Sequence, residues 1–139
     1  MFFLVDSNKK IILGWSAKCG CSHVKTLFYF LITGDESPQI HSCKDRNALP
    51  RNIEEYTTII VSRNPYERLV SGFLDKYKPD GEFRHLWNDF PLTFSKFVNS
   101  LVKNNWKHVE RHHFTPQLSE HFNKRILSSK IFKIFDIKD

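Results

Sequence analysis

The run Tyr56-Thr57-Thr58-Ile59-Ile60-Val61 passes within three residues into Asn64-Pro65-Tyr66-Glu67. A β-branched run without polar alternation reads as a strand buried on both faces. Asn64 suits a helix N-cap and Pro65 the first helical position. Glu67 stands where it can reach back, as in a capping box. Leu69, Val70, Phe73, Leu74 and Tyr77 then recur at helical spacing and give this helix an apolar face. A buried strand that turns directly into a capped helix is the unit from which parallel sheets are built.

The same order occurs earlier in the chain. Phe2–Val5 and Lys10–Trp15 are short apolar runs separated by Asp6-Ser7-Asn8-Lys9, which reads as a hairpin. The second run leads through GWSAKCGCSHVK (residues 14–25) into a helix at His23–Leu31. Val24, Leu27, Phe28 and Leu31 form its apolar stripe, and Gly34-Asp35-Glu36-Ser37-Pro38 ends it. A short segment, Gln39–Cys43, reads as a further strand that carries His41 and is followed by a charged loop holding Pro50. Helical pattern resumes at Phe94–Val102, and Lys130–Ile137 alternates like a last strand. These elements predict a single domain over residues 1–139. Its class is α/β: a three-layer, P-loop-like fold with a central parallel sheet flanked by helices. Ligands of such sheets lie at the carboxyl ends of the strands, and both loops fall there.

Composition narrows the partners. The 139 residues suit one compact domain, and the 13 phenylalanines predict an aromatic-rich core. A formal charge of +6 fits an anionic partner (nucleotide, phosphate, acidic glycan or nucleic acid) and equally a basic, well-solvated surface. No apolar run approaches the ~20 residues of a membrane span. Met1–Val5 soon meets Asp6 and two lysines, unlike a signal peptide. Three cysteines do not make a disulfide framework, so a reducing, cytoplasmic setting is expected.

Three readings compete for the first loop. As a phosphate loop, Ser16–Ser22 would offer the unpaired amides at a helix start. Gly20 would allow close backbone approach, Ser22 would supply a hydroxyl and Lys18 a charge. The order differs from the nucleoside-triphosphatase loop, because Lys18 precedes Gly20. As a metal site, Cys19, Cys21 and His23, with Cys43 as a fourth ligand, would have to bind zinc. The usual pair leaves two to four residues between cysteines, and this one leaves a single residue. The third reading is an ordinary strand-to-helix turn. In the second loop, Arg63 can grip a phosphate with two donors, and Ser71 follows eight residues later.

Taken together, GWSAKCGCSHVK and IIVSRNPYERLVSGFLDKY resemble the paired nucleotide-binding signature of sulfotransferases, closest to the carbohydrate type and its bacterial relatives. VDSNKKIIL is similar to the family's lead-in strand pair. HHFTPQ (residues 112–117) resembles its histidine-x-x-proline-glutamine segment. The resemblance runs from about Leu4 to Asp139. It implies that the first loop binds the 5′-phosphosulfate of 3′-phosphoadenosine 5′-phosphosulfate (PAPS), with no metal. Lys18 would lie beside the bridging oxygen, and Cys19, Gly20, Cys21, Ser22 and His23 would form the cradle. Both cysteines would serve as small packing residues, and Lys25 would lie near the nucleotide. Arg63 and Ser71 would bind the 3′-phosphate. His41 resembles the histidine that takes the acceptor proton, with His112 and His113 as second candidates near an acceptor hydroxyl, expected on a saccharide. The Phe- and Trp-rich stretch Pro79–Lys107 would line the acceptor pocket.

Ala17 stands where relatives have proline, and Val24 where an aromatic is common. Relatives continue beyond Ile131–Ile137, which fits either a fragment or a short protein completed as a homodimer. Two other classes predict other features. A P-loop kinase needs a magnesium-binding carboxylate at a strand end, where this chain has Arg63. A nucleic-acid-binding module gathers Lys, Arg and aromatics on one face, whereas the basic residues here are spread along the chain.

Overall fold

The computed structural model describes residues 1–34, 48–87, 92–103, 108–117, 128 and 131–137, the last seven as backbone. The chain divides into two compact units. One comprises Met1–Asn64 with Pro116–Asp139, and the other comprises Pro65–Thr115.

The first unit is built on a four-stranded sheet in the order β1 (Phe2–Asp6), β2 (Ile11–Trp15), β3 (Thr57–Arg63) and β4 (Ile131–Ile137). β1 and β2 form the expected hairpin, antiparallel, with Leu4 opposite Leu13. Its turn is fixed locally: the Asp6 carboxylate accepts hydrogen bonds from the amides of Asn8 (2.8 Å) and Lys9 (3.0 Å). β3 runs parallel to both β2 and β4. The sheet is therefore mixed, because a hairpin strand joined by so short a turn must run antiparallel.

Side chains of β1, β2 and β3 pack on both faces of this sheet, as the β-branched run of β3 predicts. Phe3, Ile12 and Ile60 pack on one side against Ile53 and Tyr56. Leu4, Leu13 and Trp15 pack on the other against Val24 and Phe28 of α1 (Cys21–Thr33). Full burial of each large apolar side chain contributes roughly 1.5–3 kcal/mol. Gly14 sits between two of them. A Cβ there would lie 2.5 Å from Ile60 Cδ1 and 2.7 Å from Phe3 Cε1, so this glycine is a packing requirement of the sheet and not part of a phosphate turn. The buried stripe of α1 is narrower than its periodicity suggests. Val24 and Phe28 are buried and Tyr29 and Ile32 half-buried, while Leu27 and Leu31 are more than half exposed. A straight helix touches a sheet along one line of i, i+4 residues, which leaves the flanks outside. Gly34, at φ 79°, closes the helix and donates its amide to the Phe30 carbonyl at 2.9 Å.

The second unit holds α2 (Pro65–Lys76), α3 (Phe94–Val102) and the single turn α4 (Arg111–Phe114). Its core is aromatic, with Tyr77, Phe97 and Phe114 buried beside Val109. The centroids of Phe97 and Phe114 are 4.9 Å apart in an edge-to-face arrangement, and those of Tyr77 and Phe97 are 5.0 Å apart. Phe73, Phe83 and Trp87 pack around this cluster. Of the described aromatic residues in the stretch expected to line an acceptor pocket, Phe97 is buried in this core, Phe83 and Trp87 are half-buried against it, and Phe94 is exposed. The packed side of α2 also differs from expectation. Arg68 and Gly72 are buried, whereas Val70 and Leu74 are exposed. Arg68 is held there by a hydrogen bond from Nη1 to the Thr115 carbonyl at 2.9 Å. Gly72 makes room for the Phe114 ring, which a Cβ would approach to 2.8 Å.

No helix among the described residues is long and apolar enough to cross a membrane.

Candidate functional site

The first loop leaves β2 at Trp15 and enters α1 at Cys21. Ser16, Ala17 and Cys19 are buried, and Lys18 is half-buried. The Cys19 amide donates to the Ser16 carbonyl at 3.2 Å and closes a tight turn. Two residues adopt the left-handed conformation: Lys18 at φ 68° and Gly20 at φ 65°. Gly20 does so without penalty, whereas a lysine there is held against its preference. Gly20 is also the N-cap of α1, and no side chain caps that end. The first amides of the 13-residue helix therefore point past the loop, the arrangement that receives a phosphate-like anion. No acidic residue lies in this first turn to oppose an anion.

Around this turn the expected residues diverge in direction. Cys19 is fully buried, as a packing residue would be, but Cys21 is exposed at the first helical position. Among the described residues no group of three or more His, Cys, Asp or Glu is arranged to hold a metal ion. His23 is exposed, and Ser22 is half-buried with its carbonyl accepting from the Thr26 hydroxyl at 2.9 Å. The Lys25 ammonium lies 5.6 Å from the centroid of Trp15, which keeps it near the end of β2. Val24, where an aromatic is common, packs in the core with Leu13 and Trp15.

The second loop is shorter. β3 continues to Arg63, and one residue, Asn64, separates it from α2. The Arg63 guanidinium donates from Nη1 to the Lys18 carbonyl over a long 3.5 Å, so the arginine of the second loop meets the lysine of the first.

One residue at this junction escaped the sequence reading. The Gln117 side chain donates from Nε2 to the Arg63 carbonyl at 2.7 Å. Its Oε1 accepts from the Arg63 amide at 3.0 Å and from the Cys19 thiol at 3.0 Å. Its own carbonyl accepts from the Ser16 hydroxyl over 3.5 Å. The available signal was the last letter of HHFTPQ, the glutamine of the histidine-x-x-proline-glutamine segment.

The remaining expected residues are distributed elsewhere. Ser71 lies half-buried on α2, in the second unit. His112 and His113 form part of α4 in that unit. There, Glu110 accepts from the amides of His112 (2.7 Å) and His113 (3.0 Å), and its Oε2 lies 2.5 Å from His113 Nδ1. Burial alone would raise the Glu110 carboxyl, but the hydrogen bonds from His113 and the two amides outweigh it and hold the group below its ordinary value. The Glu110 amide donates to the Tyr77 hydroxyl at 2.8 Å, and burial raises that phenol. His41 and Cys43 lie outside the described residues.

Two strand ends thus each lead to a helix, with Lys18 after one and Arg63 at the other. The profile of the sulfotransferase family matches residues 2–139, and the chain belongs to that family. Its activity is accordingly that of a sulfotransferase, an enzyme that moves a sulfuryl group. No protein of curated function and no solved structure matches the chain significantly.

Proposed function

We propose that this sulfotransferase takes its sulfuryl group from PAPS and delivers it to a hydroxyl, on a saccharide, in a three-layer, P-loop-like setting inside the cell. The observation that carries the reading is the meeting of the two loops, with the Arg63 guanidinium at the Lys18 carbonyl beside the uncapped start of α1. The residues suit the donor: exposed amides and Lys18 for the 5′ end, and Arg63 for the 3′-phosphate. Gly20, Cys21, Ser22 and His23 would contribute backbone to the cradle, with Lys25 near the nucleotide. Ser71, at the family's spacing from Arg63, would add a hydroxyl to the 3′-phosphate.

When bound, the donor supplies an activated sulfuryl group on a phosphate leaving group. Lys18 and the α1 amides stabilise the charge that develops on the leaving phosphate oxygen as its bond to sulfur breaks. The acceptor oxygen bonds to sulfur from the opposite side, and the protein's contribution is chiefly positioning and electrostatics. A histidine takes the acceptor proton, a step worth ~10²–10⁴-fold in rate. We assign it to His41 from the resemblance, with His112 and His113 as the alternatives near an acceptor.

Calorimetric titration with 3′-phosphoadenosine 5′-phosphate, the desulfated product, tests the reading. Binding should need no magnesium. Arg63→Ala should weaken it by about 100-fold, the scale of a lost charge-assisted phosphate pair. Lys18→Ala should weaken it less. A folded protein that ignores the nucleotide would overturn the choice of donor.

A further inference from the structure

Strand pairing leaves one place on β3 to be completed. β2 pairs only as far as Trp15, opposite Val61, two residues short of Arg63, because the chain there turns into the first loop. In a parallel ladder a residue directs its N–H and C=O to the same neighbour. The carboxamide of Gln117 meets both of these groups on Arg63, at 3.0 and 2.7 Å, past the point where pairing with β2 ends. The same oxygen accepts from the buried Cys19 thiol, and the Gln117 carbonyl meets Ser16. One side chain thus bonds to the arginine of the second loop and to the turn that holds Lys18. All of these residues belong to the first unit.

We propose that Gln117 is a positioning residue for nucleotide recognition: it fixes the Arg63 backbone against the first loop, so that Arg63 and Lys18 are presented at a set separation. The inference rests on the nucleotide reading given above. Glutamine is required by the chemistry of the pair, because one end must donate and the other accept. A glutamate would keep both bonds to Oε1 but set a carboxylate oxygen against the Arg63 carbonyl. Protonation of that glutamate would restore the missing donor.

Two measurements separate the possibilities. The first is hydrogen exchange at the Arg63 amide in the protein without nucleotide, comparing wild type with Gln117→Met, which keeps the length and loses the polar groups. Exchange should quicken about tenfold or more, the scale of one lost buried hydrogen bond. The second is the affinity of Gln117→Glu for 3′-phosphoadenosine 5′-phosphate, expressed relative to wild type at each pH. At pH ~8 the variant should bind about tenfold more weakly. By pH ~5 the ratio should narrow to within about threefold, as the introduced carboxyl regains its proton. A loss arising only from disturbed packing would not recover on acidification. Unchanged exchange in Gln117→Met would overturn the clamp itself. Faster exchange with undiminished nucleotide affinity would overturn the positioning role. If wild type does not bind the nucleotide while exchange still responds, the donor assignment and the recognition role both fall, and the clamp stands as a feature of the fold alone.

Discussion

The two units solve the same problem, holding short loops in place, by opposite means. In the sheet unit the first loop has no capping side chain at the start of α1 and places a lysine in the left-handed region. Its order comes from a distant partner, Gln117, more than 90 residues away in the chain. In the helical unit α4 is stapled locally. Glu110 caps two amides and pairs with His113, all within three residues. A capped turn satisfies its own backbone, whereas an uncapped helix start keeps its donors available for an anion. The difference teaches that one turn is held by its own residues and the other by a residue far along the chain.

The comparison can first be tested at two crowded glycines, one in each unit. Gly14→Ala sets a methyl group against Ile60 and Phe3 in the middle of the sheet, with 2.5 and 2.7 Å available. We expect a loss of about 1–3 kcal/mol, the usual scale of overpacking. Gly72→Ala meets the Phe114 ring at 2.8 Å but gains helix propensity of about 1 kcal/mol in α2, which offsets much of the strain. Urea denaturation should therefore rank Gly14→Ala clearly below Gly72→Ala. The reverse order would mean that the sheet unit adapts more readily than its packing implies.

A smaller effect separates the units by pH. Glu110 is held below its ordinary value of 4.5, so between that value and its folded one the unfolded chain binds more protons than the native state. Its contribution is complete above about pH 4.5 and is lost as pH falls through the folded value. Glu110→Gln should lower stability at neutral pH by less than about 1 kcal/mol and flatten the decline on acidification. Hydrogen exchange at pH 7 and pH 4 should show this change at α4 and leave α1 unaffected. An equal response in α1 would remove the distinction between a locally stapled turn and a remotely held one.

Much of the sheet unit was legible because its signals are local. The hairpin, the β-branched run of β3 and the closing Gly34 of α1 each follow from residues a few positions apart. What escaped were long-range matters. The packing role of Gly14 could not be read from its neighbours in the chain, since only the register that sets it between Phe3 and Ile60 reveals it. Leu27 and Leu31 fit a helical stripe, but the width of the actual contact depends on how α1 lies on the sheet. An aromatic-rich core was legible from composition, but which rings form it, Tyr77, Phe97 and Phe114, depends on contacts between distant parts of the second unit. Lys18 and Arg63 were singled out only by the resemblance that the two loops carry together, whereas Gln117 acquires meaning only from two strand ends that converge. An amide that completes a sheet ladder carries no charge and no periodicity by which to be found.

Lys18 provides the finest test, because fold and function should there move in opposite directions. At φ 68° a residue with a Cβ is disfavoured by roughly 1–2 kcal/mol, and glycine is not. Lys18→Gly relieves that strain, while the added freedom of glycine in the unfolded chain returns part of the gain. The expected result is a stability unchanged or raised by up to about 1 kcal/mol in urea denaturation. Affinity for 3′-phosphoadenosine 5′-phosphate should nevertheless fall about tenfold with the loss of one charge facing the 5′-phosphate. A variant that became less stable and bound equally well would show the lysine to be a structural part of the turn. Gain in one quantity with loss in the other would identify the left-handed lysine as strain kept for the ligand, the counterpart in backbone geometry of the uncapped helix beside it.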